Sequence, residues 1–113
     1  MESDMDAGKD EIIKNYRQTM TGFEFNLQGI STKIKIKTNK IKKTGKVTFV
    51  QSHFIHTPKQ CGPYMTDHSW AHSEHDAVER VLSDFTDYYK RAIEAGHEPK
   101  ESWLVMNGKF LFS

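Results

Sequence analysis

A single cysteine, Cys61, and three prolines interrupt the 113 residues, and no apolar run is longer than the four residues Trp103–Met106. One cysteine excludes an intrachain disulfide and fits a reducing compartment. A run of four falls far short of the roughly 20 residues that a membrane-spanning helix needs, and the acidic start lacks the basic and apolar regions of a signal peptide. A soluble, cytoplasmic protein with no membrane partner is expected. The chain also lacks a phosphate-cradling glycine loop, a nucleophile elbow and a paired-carboxylate motif. Cys61 with His68 or His72 and Asp67 or Asp76 supplies the residue types of a thiol nucleophile, base and orienting carboxylate, but those types in no catalytic signature carry little. We therefore expect a protein that is not an enzyme and needs no cofactor.

The most telling absence is of acid. Residues 31–60 hold eight lysines and not one aspartate or glutamate, for a local charge of +8, whereas residues 1–30 carry −3 and residues 61–113 carry −4. The net charge of +1 hides this segregation. Screening confines surface charge to about 8–10 Å, so an anionic partner meets the local field and not the average.

Hydrophobic residues at 36% and aromatics at 12% suffice to close a core, and a chain of this length supports one domain. Residues 1–9 are acidic and without periodicity and are expected to be a disordered tail, leaving 10–113 as a single α+β domain. From Asp10, the spacing of Ile12, Ile13, Tyr16 and Met20 predicts a short N-terminal helix. Past Thr21-Gly22 the period changes to two. Phe23, Phe25 and Leu27 predict one strand, Ile34 and Ile36 a second with Lys33, Lys35 and Lys37 on its opposite face, and Val47–Ile55 a third. That third strand has apolar residues in both phases and reads as the middle one. Residues 57–72 read as a long loop, of the kind that is often functional.

Ser73-Glu74-His75-Asp76 has the spacing of a capping box. A helix beginning there gathers Val78, Val81, Leu82, Phe85, Tyr88, Tyr89, Ala92 and Ile93 into one apolar stripe and ends at Gly96, with Pro99 preventing resumption. Asn107-Gly108 between Trp103–Met106 and Lys109–Phe112 predicts a C-terminal hairpin. The expected architecture is an antiparallel sheet, a three-strand meander plus the C-terminal hairpin, with the long amphipathic helix on one face and the short N-terminal helix beside it.

Three constellations bear on function. Lys33, Lys35, Lys37, Lys40, Lys42, Lys43 and Lys46 form a basic β-hairpin over residues 33–46. Alternate strand residues repeat at roughly 6.6–6.8 Å, close to the phosphate spacing of an extended single strand, so the expected partner is nucleic acid, another polyanion or an acidic protein surface. The same lysines would serve as well to guard an exposed edge strand. No aromatic for stacking stands among them in the sequence. Second, His53, His56, Cys61, His68, His72 and His75 lie within 23 residues and are donors suited to a transition metal, though no standard zinc spacing is present. Third, Tyr64, Trp70, Trp103, Phe110 and Phe112 are the residue types that dominate protein interfaces, and an exposed terminal hairpin would favour a homodimer. The leading expectation is a small non-enzymatic binding module acting through the basic hairpin. A protein-interaction module and a metal-binding protein are the alternatives.

Overall fold

The computed structural model describes residues 11–64 and 70–112, and only the backbone of Leu111 and Phe112; the expected tail over 1–9 lies outside the described residues. The chain runs β1 (Ile13–Thr19), β2 (Gly22–Leu27), β3 (Ile34–Lys40), β4 (Val47–Gln51), β5 (His53–Ile55), β6 (Trp70–Ala71) and α1 (Glu74–Glu94). A 3-10 turn at Glu101–Trp103, β7 (Leu104–Met106) and a second 3-10 segment at Gly108–Phe112 complete it. Five strands make one antiparallel sheet in the order β1-β2-β3-β4-β6, while β5 and β7 pair separately. The protein is thus α+β, with one long helix. No helix among the described residues is long and apolar enough to cross a membrane.

The helix follows its local signals. Ser73 caps it, its side chain accepting from the Asp76 amide, and Gly96 leaves it at a φ of +93°, a conformation that costs glycine little. Its stripe packs on the sheet face carrying Phe23, Phe25, Ile34, Ile36, Val47 and Phe49, with Phe25 and Phe85 edge to face at 5.5 Å. The Tyr89 hydroxyl donates to the Gln28 carbonyl at 2.7 Å. Each large apolar side chain so buried contributes roughly 1.5–3 kcal/mol.

The predicted N-terminal helix is instead the edge strand β1. Its apolar residues fall at helical spacing because a bulge interrupts the strand: the pairing shifts between Lys14 and Arg17, and Asn15 takes a φ of 54°. The extra residue lets Ile13, opposite Leu27, and Tyr16, against the Phe23 ring at 6.0 Å, face the core although they are three apart. Asparagine is among the few residues that enter this region readily.

The predicted third strand is two strands. It breaks at Ser52, whose amide donates to the Lys35 carbonyl and whose hydroxyl accepts from the Lys35 amide, and the chain passes from the large sheet into the small one. Its apolar residues in both phases therefore reflect a change of sheet, and the middle position belongs to β3.

The C-terminal hairpin is also absent. Asn107 does not turn the chain back; its side chain donates to the Gln51 carbonyl and accepts from the Lys109 amide, and Gly108–Phe112 coils over the sheet as a 3-10 segment.

This C-terminal segment is held by Glu101. Its carboxylate accepts from the Ser31 and Thr32 amides at 2.6 and 3.0 Å and from the Thr32 hydroxyl at 2.6 Å, and these bonds hold it down at about 2 against an ordinary 4.5. A depressed folded-state value means that the contribution is complete above pH 4.5 and is lost as pH falls toward 2. Glu101→Gln should therefore lower Tm at pH 7, and the gap from wild type should close by about pH 2 in thermal melts recorded across that range. A gap that persists at low pH would show that the carboxylate charge is not what matters.

Candidate nucleic-acid interface on the sheet

The register places the lysine strand. Because β3 is flanked by β2 and β4, Lys35 and Lys37 project from the centre of the sheet and not from an edge, so edge protection does not explain them. Glu24 stands opposite Lys35, Val50 opposite Lys37, and Thr48 is opposite both Asn39 and Trp70. Cross-strand partners share a face. All of these side chains therefore lie on the face turned away from α1.

One end of this face is neutralised internally. Arg17 and Lys33 reach the Glu24 carboxylate at 3.0 and 3.1 Å, and Glu24, only 8% exposed, is held below the usual carboxylate range, chiefly by the Lys33 hydrogen bond. Lys37 is occupied as well, donating to the Phe110 carbonyl at 3.2 Å and lying 4.3 Å from the centre of the Phe110 ring. Lys46 sits 4.2 Å over the Trp70 ring. Lys35, Lys40, Lys42 and Lys43 are exposed and form no ion pair among the described residues. Of the seven expected lysines, these four present free charge, and three of them crowd the turn between β3 and β4.

Trp70 lies in a strand where the sequence predicts a loop. Two residues of strand before a helix cap give no usable periodicity, so β6 is indistinguishable from loop in the sequence. Its pairing with Val47 and Thr48, and the Arg80 guanidinium donating to the Trp70 carbonyl at 2.9 Å, hold the half-buried indole beside the basic turn. His72 meets its ring edge-on at 5.2 Å. On the same face runs a groove of about 610 Å³ whose walls include Met20, Lys37, Asn39, Thr48 and Val50.

Among the described residues the histidines and Cys61 do not converge. No group of three or more His, Cys, Asp or Glu side chains meets among the described residues, and His68 lies outside them. His53 is half-buried against the Ser52 hydroxyl, its Nδ1 2.7 Å away, and burial lowers its pKa. His56 lines a crevice with His97 and Trp103, Cys61 is exposed, and His75 lies 3.8 Å from Glu79 on the helix. On α1, burial and the neighbouring Asp87 push Asp84 up to about 6.

Of the aromatics expected at an interface, Trp103 belongs to the core, 2% exposed and edge-on to Tyr89 at 5.6 Å. Tyr64 packs on Tyr88 at 4.9 Å. The side chain of Phe112 is outside the description, which leaves Trp70 and Phe110 on the sheet face. No protein-family model, curated protein or solved structure matches this chain.

Proposed function

We propose that the protein is a small non-enzymatic binding module whose basic β3–β4 hairpin engages a polyanion. The observation that supports this most is that the lysine strand is central in its sheet. A central strand needs no charge to prevent edge pairing, which removes the ordinary structural reason for the row. The turn adds Lys40, Lys42 and Lys43, exposed and without an internal carboxylate partner among the described residues. Holding these like charges together costs folding energy through self-repulsion, and an anion relieves that cost.

Phosphate contacts are recognised by counterion release. If the four free lysines each meet one phosphate of a single strand, affinity for a fluorescent oligonucleotide should fall about fiftyfold between about 50 and about 200 mM salt. Anisotropy titrations with single- and double-stranded oligonucleotides and with heparin measure this. Absence of binding to all of them at low salt would overturn the proposal.

A further inference from the structure

We propose that the sheet face around Trp70 is a stacking platform, so that the polyanion is a single-stranded nucleic acid read through its bases as well as its phosphates. The inference rests on the polyanion reading above and makes it more specific. Charge alone attracts any polyanion; an aromatic ring fixed beside the charge adds something that only a ligand with planar bases can use.

Three observations on one face combine. The Trp70 indole is half-exposed, and its backbone is fixed by the pairing of β6 with β4 and by the Arg80 hydrogen bond to its carbonyl. With the backbone fixed and His72 packed edge-on against the ring at 5.2 Å, the indole loses little freedom when a base stacks on it. Next, the Lys46 ammonium occupies one face of the ring at 4.2 Å. That is where a base would lie, and the flexible lysine stem lets the ammonium move from ring to phosphate as the base arrives.

Finally, the groove of about 610 Å³ extends across β4 and β3 from the Thr48 opposite Trp70. Its size falls within the roughly 300–1,000 Å³ of small-ligand sites. Its lining of Val50 and Met20 beside Asn39 and Thr48 offers apolar surface for a second base and hydrogen-bonding groups for its edge or sugar. Lys35 on the same face puts positive charge along this path, and Lys42 and Lys43 add more at the turn, while Lys40, opposite Val47, stands at the α1 side of the strand end. A duplex hides its base faces and cannot use the indole, so the selective partner is a single strand.

The test uses intact protein, with oligothymidylate, oligouridylate and heparin as probes at low salt. Of the two tryptophans, Trp103 is buried, so emission lost on adding an oligonucleotide, and missing in Trp70→Phe, belongs to Trp70. We expect both oligonucleotides to quench this emission and heparin to leave it unchanged. Trp70→Ala should weaken oligonucleotide binding about tenfold or more with heparin affinity unaltered, and Trp70→Phe, which can still stack, should retain most of it. The ratio between the two oligonucleotides tells DNA from RNA. Oligonucleotide binding without quenching, or equal affinity in wild type and Trp70→Ala, overturns the platform and leaves the polyanion reading standing. Failure of all three probes to bind wild type overturns both.

Discussion

Reversing Lys40, Lys42 and Lys43 together to glutamate should reduce oligonucleotide affinity on the order of a thousandfold at low salt, about one decade for each reversed charge. The slope of log affinity against log salt should become shallower by about 2, since three counterion-releasing contacts are lost. Tm should stay the same or rise, because these side chains are exposed, have no ion pair to lose among the described residues, and repel one another in the native protein. Lys33 and Lys37 make a useful contrast. Each is bound internally, Lys33 to Glu24 and Lys37 to the Phe110 segment, so reversing either would disturb the fold and confound a loss of binding. Anisotropy and thermal melts on the same samples separate the two effects. Undiminished affinity in the triple variant, with the salt slope intact, would exclude the turn as the point of contact.

Gly22→Ala should be the most damaging single substitution in the sheet. A Cβ at Gly22 would stand 2.0 Å from the Ile36 carbonyl oxygen, where real Cβ atoms are not found. The obstacle is backbone in β3, which cannot rotate aside as a side chain would. Relief requires β2 to move away from β3 at the point where Gly22 faces Lys37 and the Thr21 carbonyl accepts from the Thr38 amide at 2.8 Å. Strain of this kind, together with lost ladder bonds, costs about 3 kcal/mol or more, a large part of the stability of a small domain. Chemical denaturation should show the midpoint displaced accordingly; a loss below about 1 kcal/mol would mean that the two strands are not so closely apposed.

What the sequence disclosed depended on whether a local pattern matched a local structure. α1 is legible because its cap, stripe and stop all lie within the helix or a few residues from its ends. β2 and β3 alternate cleanly because one face of each meets the helix. β1 was misread because the bulge at Asn15 converts a period of two into a spacing of three, which mimics a helix. Asn107-Gly108 misled for a different reason: the asparagine amide found the Gln51 carbonyl, a partner 56 residues away that competes with a tight turn and that no local window reveals. The lysines of the candidate site were all visible in advance. Their division into free and occupied was not, because Glu24, Trp70 and Phe110 reach them through strand register and through the C-terminal segment. For the same reason Trp70, the aromatic proposed as the stacking platform, reads as part of a loop in the sequence.

The attachments of the C-terminal segment bear on the order in which the molecule assembles. The ladders β1–β2, β2–β3 and β3–β4 each join chain neighbours, so their turns close short loops at little entropic cost. The bonds from Glu101 to Ser31 and Thr32, and from Lys37 to Phe110, instead span 69 to 73 residues. Contacts of such high sequence separation are slow to form, and the meander is complete in local terms before they exist. During synthesis residues 101–112 also leave the ribosome after the meander. The basic turn is therefore in place early, while the Phe110 segment that occupies Lys37 docks later, so that a nascent or truncated chain would display the charge of the sheet face before its shape.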